Sequence, residues 1–400
     1  MNRKKVFDPR DFYRKLENHF KKNPIFEDNP SSITPIIGFL YGFFKGHFRI
    51  ENAYLFEKKE NRYYNLYSLF PQKNDFVAQS YDAAEIIRGI DSKKESLNVF
   101  RNFSPESSLN DSIDLYFMVF GTDQRYMIGL KTDTAEQKQD QLYYLLSSFK
   151  YLLNQHLKFS FLESNFYKAG EIQNSLIPKK LPDFQNYDIA TMFIPAEMVG
   201  GDVYDFIRQD DDLLGILIAD ASGHGLPAAL QARDVIIGIR MGLEKEHKIW
   251  SLVNKLNKVI FQTSLSSRFV SLFYGEIEND GLMTYVNAGH CNPIYFHGKK
   301  IKELDVGGMV LGWSDQASYK RGYQYLDVGS VLVLYTDGVN ETRIKDDDEY
   351  GTKRLINLVR KQLDKSSSEI LTSIIEDVKR LRVTPVWEDD LSLMVIKRLA

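Results

Sequence analysis

Hydrophobic residues make up 43% of the 400-residue chain, whose formal net charge is −3 at pH 7. This composition excludes an intrinsically disordered protein, leaves room for two or three domains of about 100–200 residues, and gives no support to a nucleic-acid-binding surface. The single cysteine, Cys291, excludes a disulfide framework. The sequence also shows no signal peptide and no apolar run near the ~20 residues that span a bilayer. We therefore expect a soluble protein of the cytoplasm.

The first segment, residues 1–133, has the pattern of an α+β domain. Residues 9–22 carry Phe12, Leu16 and Phe20 at four-residue spacing, which predicts an amphipathic helix packed on this domain. Strand-like segments follow, the last two joined by a polar turn into a hairpin: residues 53–56, 63–70, 115–120 and 126–130. The segment is similar to a GAF-type sensory domain, and a PAS-like or purely interacting module is the alternative.

The second segment, residues 134–182, is predicted to be a long helical linker that ends before Pro178 and Pro182. Apolar residues recur along it mostly at three- and four-residue steps: Leu142, Leu146, Phe149, Leu153, Phe159, Leu162, Phe166, Ala169, Ile172 and Leu176. Two interpretations stay open. The helix forms a parallel coiled coil in a homodimer, or its first half packs on the first domain and its second half on the next.

The third segment, residues 183–400, alternates strand-like and helix-like stretches. Helices are predicted at residues 227–243, 250–262, 351–363 and 367–381, and strands at 268–277, 281–287, 293–296 and 391–396. This alternation does not fix the sheet topology by itself.

Acidic residues occur at the ends of several of these strands. Asp202 and Asp220 each lie near glycines, where the backbone can adopt positive φ or approach a ligand closely. The apolar run at 213–219 predicts a buried strand that ends at Asp220. For either motif alone, an ordinary turn is the simpler interpretation, because Asp and Gly are common turn residues.

The same arrangement recurs downstream, which favours one shared site. Asp337 follows an apolar run and precedes Gly338, and the pair Asp389-Asp390 directly precedes the final predicted strand. Carboxylate oxygens suit Mg²⁺ or Mn²⁺, and two such ions can orient a water and neutralise charge on a phosphoryl group. The sequence therefore predicts a metal centre that acts on a phosphoester. No P-loop, HExxH motif or strong Ser-His-Asp pattern competes with this prediction.

Several motifs occur in the order typical of one protein family: residues 199–206, 219–229, 269–270, 287–290, 334–341, 350–351 and 389–390. With these motifs, roughly residues 185–400 resemble the bacterial SpoIIE/RsbU branch of the metal-dependent serine/threonine phosphatases of type 2C, the PPM family. The resemblance implies a β-sandwich of two antiparallel sheets flanked by helices, with a binuclear Mn²⁺ or Mg²⁺ centre at one edge.

The resemblance also implies roles for single residues. Asp220 would bridge the two ions, and the Ala221 carbonyl would be a backbone ligand. Asp337 and Asp389 would complete one ion, although sequence does not decide between Asp389 and its neighbour, and Asp202 would hold the other. Two histidines of the motifs are expected to be structural, His224 in its loop and His290 in the strand region, because His224 does not align with the general acid of eukaryotic relatives.

Such phosphatases act on a phosphoserine or phosphothreonine of a small STAS-domain anti-anti-sigma protein and so reverse an anti-sigma kinase. The resemblance implies that the N-terminal domain gates the phosphatase through the helices next to the metal loop, here residues 227–243 and 172–176. Two alternatives stay open: a pseudophosphatase that serves as a signalling scaffold, and a metal phosphoesterase that acts on a small molecule.

Overall fold

The computed structural model describes residues 9–26, 29–45, 47–71, 80–83, 99–100, 114–132, 136–208, 211–243, 248–263, 269–345 and 348–400. The chain divides into two compact units, Met1–Asn165 and Phe166–Ala400, and the division falls inside one long helix. The predicted segment limits at residues 133 and 182 stay predictions. None of the described helices is both long and apolar enough to cross a lipid bilayer.

The first unit is built on a six-stranded sheet whose neighbouring strands are antiparallel. The strands are β1 (Ile50–Lys59), β2 (Arg62–Ser68), β3 (Ser80–Asp82), β4 (Val99–Phe100), β5 (Asp114–Phe120) and β6 (Tyr126–Thr132), in the order β3-β2-β1-β6-β5-β4. Helices α1 (Pro9–Lys22) and α2 (Pro30–Phe44) precede the sheet, and α3 (Glu136–Asn174) follows it. The predicted first helix and the β5–β6 hairpin are confirmed, whereas the likeness to a GAF domain stays a prediction.

Helix α3 divides its apolar residues between two environments. Side chains of its first half are buried in the core of the first unit: Leu142, Leu146, Phe149 and Leu153. This burial confirms the predicted packing of that half on the first unit. Further along the helix, the side chains of Phe159 and Leu162 are 58% and 55% exposed, so the coiled coil stays a prediction for this part.

The second unit contains two sheets. Their strands are β7 (Tyr187–Ile194), β8 (Asp202–Arg208), β9 (Leu213–Ala221), β10 (Val270–Glu278), β11 (Leu282–Ala288), β12 (Ile294–His297), β13 (Lys300–Glu303), β14 (Gly307–Gly308), β15 (Gly322–Tyr325), β16 (Val331–Tyr335) and β17 (Leu391–Arg398). One sheet has the strand order β14-β11-β10-β9-β8, with β15 also paired to β11, and the other has the order β13-β12-β16-β17-β7. Among the described strands, only the short pairing of β11 with β14 is parallel.

The two sheets pack face to face, and helices cover their outer faces. Along β9, Leu214, Ile216 and Ile218 enter the core between the sheets, while the alternate residues pack beneath helices α4 (Leu226–Leu243) and α5 (Ile249–Thr263). The short helix α6 (Asp337–Asn340) follows β16, and helices α7 (Thr352–Arg360) and α8 (Ser367–Leu381) cover the outer face of the second sheet. The predicted sandwich of antiparallel sheets flanked by helices is confirmed.

This layering explains why the sequence alone indicated an α/β alternation. A strand buried on both faces is apolar throughout, and such runs are also typical of parallel sheets. In β16, Leu332 and Leu334 face the other sheet while Val331 and Val333 face the helices, so no polar position marks an open face.

Candidate metal centre

Two of the predicted site residues lie directly opposite each other on neighbouring strands. The antiparallel register of β8 and β9 pairs Asp202 with Asp220. Asp202 is fully buried, and one of its oxygens accepts a hydrogen bond of 2.6 Å from the Thr336 hydroxyl, which lies at the end of β16. The strand pairing therefore brings the two aspartates together, and Thr336 orients the inner one.

A cleft of about 540 Å³ opens at this end of the sandwich. Its lining includes Asp220, Asp337 and Asp389, which come from three separate segments of the chain. Asp337 is the first residue of α6, and Asp389 lies in the turn that leads into β17. The structure therefore assembles the carboxylates that the sequence predicted at strand ends, with Asp202 buried behind them.

Glycines around the cleft allow close backbone contacts. A Cβ on Gly201 would lie 2.5 Å from the carbonyl oxygen of Ala221, and a Cβ on Gly200 would collide with the carboxylate of Asp390. The loop after β9 instead uses positive φ, at Gly223 (89°) and Gly225 (74°). Positive φ is thus present after β9, and the glycines before β8 allow close packing within the chain, whereas close approach to a ligand stays a prediction.

The neighbours Asp389 and Asp390 have different surroundings. Asp390 is buried, and its two oxygens accept backbone N–H bonds from Ala196 at 2.8 Å and Gly201 at 2.7 Å. Asp389 is exposed in the cleft and accepts a bond only from the backbone N–H of Asp390 among the hydrogen bonds of the described residues. Asp390 therefore anchors the loop before β8, and Asp389 has an oxygen available for a ligand.

The carboxylates of the centre have raised pKa values. Burial, followed by the charges of Asp337 and Asp389, raises the pKa of Asp220 to about 8. Burial and then the Asp389 charge raise the pKa of Asp337 to about 6, while burial and the Asp220 charge hold the pKa of Asp202 well above its usual range. The neighbouring charges that cause these shifts are carboxylates, so an added cation would stabilise the ionised forms.

This donor set fits a hard divalent cation. It consists of carboxylate oxygens that repel one another and of the Ala221 carbonyl, whose oxygen would lie 2.5 Å from a Cβ at position 201. Within the described part of the chain, no three acidic, histidine or cysteine side chains stand at the spacing of a formed metal site. The fit therefore rests on the oxygen chemistry and the mutual repulsion of the carboxylates.

The two motif histidines occupy contrasting positions. The His224 side chain is 84% exposed, and its Nδ1 lies 3.3 Å from a carboxylate oxygen of Glu197 at the cleft. His290 is buried, its Nδ1 lies 2.7 Å from the Ser271 hydroxyl, and burial lowers its pKa to about 4. The structural roles expected of the two histidines stay predictions.

One contributor to the centre was missed by the sequence interpretation. The side-chain amide of Gln173, near the end of α3, forms hydrogen bonds with both backbone groups of Gly200: its nitrogen donates to the carbonyl, and its oxygen accepts from the N–H at 2.9 Å. One turn earlier, a Cβ on Gly170 would collide with the carbonyl oxygen of Met198. The available signal was a small and a polar residue on an apolar helix face.

Comparisons with known proteins agree with this geometry. Residues 210–399 match the family described as Stage II sporulation protein E (SpoIIE). The chain is 30% identical over 241 residues to "Phosphoserine phosphatase RsbU" of Bacillus subtilis (strain 168), and the match covers 59% of this chain and 71% of that protein. It is 26% identical over 297 residues to "Protein IcfG" of Synechocystis sp., covering 65% of this chain and 47% of that protein. The solved SiaA-PP2C domain of Pseudomonas aeruginosa has the same fold, with a TM-score of 0.54 at 17% identity over 60% of this chain and 98% of that chain.

Proposed function

Because the chain belongs to the SpoIIE/RsbU branch of the metal-dependent type 2C (PPM) serine phosphatases, we propose that it removes phosphate from a phosphoserine or phosphothreonine of a STAS-domain anti-anti-sigma protein. One observation carries the assignment of the site: a single cleft collects Asp220, Asp337 and Asp389 from distant parts of the chain. The relative from Bacillus subtilis is named a phosphoserine phosphatase, which supports a phosphoester as the substrate.

Two Mn²⁺ or Mg²⁺ ions would supply charge neutralisation at the phosphoryl group and a water activated for attack. Asp220 would be shared by the two ions, Asp337 and Asp389 would hold one, Asp202 would hold the other, and the Ala221 carbonyl would be a backbone ligand. The chain's own contribution is to hold these oxygens in place. Thr336 orients Asp202, and Asp390 fixes the loop through the N–H groups of Ala196 and Gly201.

Regulation by the N-terminal segment is part of the proposal. The Gln173 amide of α3 pairs with the backbone of Gly200, two residues before Asp202, so a shift of this helix changes a loop that Asp390 also holds. The exposed apolar residues of α3, such as Phe159 and Leu162, support a homodimer through a coiled coil. A signal at residues 1–133 would then act through this helix on the loop at Gly200, which precedes Asp202.

The test is phosphate release from a STAS-domain protein phosphorylated on serine, measured with and without Mn²⁺ for the wild type and Asp220→Asn. We expect release that requires metal and is lost in the variant. Equal activity of both proteins would refute the metal assignment.

The alternatives give different results in the same assay. Turnover of a small phosphoester such as p-nitrophenyl phosphate without turnover of the phosphoprotein would favour the small-molecule phosphoesterase. If neither substrate is turned over, residues 183–400 alone are tested with both; continued inactivity would favour the scaffold, whereas activity would indicate inhibition by the preceding segments.

A further inference from the structure

An exposed tryptophan lies beside the metal cleft. Trp313, in the loop between β14 and β15, is 58% exposed. Its ring contacts the ring of Phe269 edge to face, with centroids 5.8 Å apart and an interplanar angle of 73°. Tryptophan combines a large apolar area with a polar N–H group and is enriched at protein interfaces.

Phe269 connects this tryptophan to the centre itself. Phe269 lines the cleft that holds Asp220. Its backbone N–H donates to the Ser222 hydroxyl at 3.0 Å, and its carbonyl accepts from the Ser222 N–H at 2.9 Å. The aromatic pair Phe269–Trp313 is therefore continuous with the cleft wall. Ser222, to which the Phe269 backbone bonds, directly follows Ala221, whose carbonyl is a predicted metal ligand.

The loop that carries Trp313 is anchored by hydrogen bonds to α5 and β10. The fully buried Asn257 of α5 accepts hydrogen bonds from the Gly312 N–H at 2.9 Å and the Tyr319 hydroxyl at 3.1 Å, and it donates to the Ser314 carbonyl at 2.9 Å. Leu311 adds two backbone hydrogen bonds with Val270, of 2.8 and 3.0 Å. These bonds fix the backbone on both sides of Trp313.

We propose that the pair Phe269–Trp313 is a docking surface for the folded protein that carries the phosphoserine, an inference that rests on the proposed function. A phosphorylated side chain that reaches the carboxylates brings the surface of its own protein against the cleft rim, where the pair lies. A tryptophan held in place loses little conformational freedom on binding, and tryptophan is enriched among the residues that dominate protein interfaces. A small phosphoester would leave this surface uncovered.

The experiment compares kcat/KM for the serine-phosphorylated STAS protein with kcat/KM for p-nitrophenyl phosphate, in Mn²⁺, for the full chain. In Trp313→Ala, we expect kcat/KM for the phosphoprotein, relative to that for p-nitrophenyl phosphate, to fall at least about tenfold, mainly through KM. Trp313→Phe keeps an aromatic ring and should recover most of the loss.

A matched control is Tyr323→Ala. Tyr323 is 48% exposed on β15, and its register with Thr284 places it at the end of the sheet away from Asp220. We expect this variant to keep the wild-type ratio of the two kcat/KM values.

Three outcomes would overturn the inference. An unchanged ratio in Trp313→Ala would show that the pair does not dock the substrate, and an equal loss with both substrates would assign Trp313 to the integrity of the centre instead. A wild type that hydrolyses p-nitrophenyl phosphate but not the phosphoprotein would refute the proposed substrate and the docking surface together. The first two outcomes leave the proposed function intact.

Discussion

Strand β8 carries two buried aspartates in opposite electrostatic surroundings. In the middle of the strand, Asp205 is almost fully buried and forms an ion pair with Arg240 of α4, with contacts of 2.7 and 3.0 Å. At the cleft end, Asp202 is equally buried but faces Asp220, another carboxylate. The chain neutralises Asp205 with an arginine, whereas it places Asp202 opposite a second carboxylate, an arrangement that fits a cation site.

The largest expected effect is on phosphatase activity, and it distinguishes the role of Asp389 from that of Asp390. Asp389→Asn removes a cleft charge but keeps an oxygen that can accept the backbone N–H of Asp390, so Mn²⁺-dependent phosphatase activity should fall at least about a hundredfold while the metal-free protein stays as stable as the wild type. Asp390→Asn should instead lower the unfolding free energy by about 1–3 kcal/mol, because an amide cannot accept from both Ala196 and Gly201.

The measurements are steady-state phosphate release and urea unfolding of metal-free protein. Glu376→Gln is the control, since Glu376 is an exposed carboxylate on α8 and does not line the cleft. Near-normal activity of Asp389→Asn would move the ligand role to Asp390.

The ion pair of Asp205 with Arg240, in the middle of β8, gives the next effect. Asp205→Asn should cost about 1–3 kcal/mol of unfolding free energy, since the buried side chain loses a bidentate partner, while the half-exposed Arg240 is still solvated. A double-mutant cycle with Arg240→Ala measures the pair directly by urea unfolding, and additive losses would show that the two side chains are not coupled.

The uncharged contact between Gln173 and Gly200, at the cleft end of β8, gives a smaller effect. Gln173→Ala removes both side-chain bonds to Gly200, and we expect the Mn²⁺ concentration for half-maximal activity to rise about tenfold, or 1.4 kcal/mol. Gln155→Ala is the matched control, an exposed glutamine on the same helix. An unchanged metal requirement would remove Gln173 from the control of the centre.

The pH dependence of stability should differ between metal-free and metal-loaded protein. The pKa values of Asp220 (about 8) and Asp337 (about 6) lie above the usual aspartate value, so folding takes up protons at these sites and their contribution to stability is lost as pH rises through these values. We expect the melting temperature of the metal-free protein to fall by at least about 3 °C from pH 5 to pH 8.5.

Differential scanning calorimetry with and without Mn²⁺ measures this slope. Mn²⁺ should oppose the decline, because it binds the deprotonated carboxylates, and Asp220→Asn should show a shallower slope than the wild type without metal. Identical slopes for the variant and the wild type would contradict the assignment of the raised pKa to Asp220.

The sequence predicted the elements better than their arrangement. Apolar spacing located α1, the β5–β6 hairpin, α4 and α8 to within a few residues, because each pattern reflects local burial. It could not assign sheet partners, since β9 and β16 are apolar on both faces. The sandwich was expected only from the resemblance.

The same limit applies to the centre. Asp220, Asp337 and Asp389 were predicted as one site because each lies at a strand end, and the structure places them in one cleft. The difference between Asp389 and Asp390 was beyond the sequence, since it depends on which carboxylate meets the amides of Ala196 and Gly201. Gln173 was missed for a similar reason: its partner is the backbone of Gly200, and backbone groups have no sequence signature.

Strand β17 determines when the centre can form. It lies between β16 and β7, and its first residue, Leu391, pairs with Ile194 of the earliest strand in the second unit. During synthesis, β7 therefore stays without this neighbour until nearly all the rest of the unit has been made. Because Asp389 and Asp390 immediately precede β17, the step that completes the second sheet also delivers the final carboxylates. A nascent chain that lacks residues 389–398 would have neither the complete second sheet nor the complete cleft. The cleft is therefore completed in the same step as the second sheet.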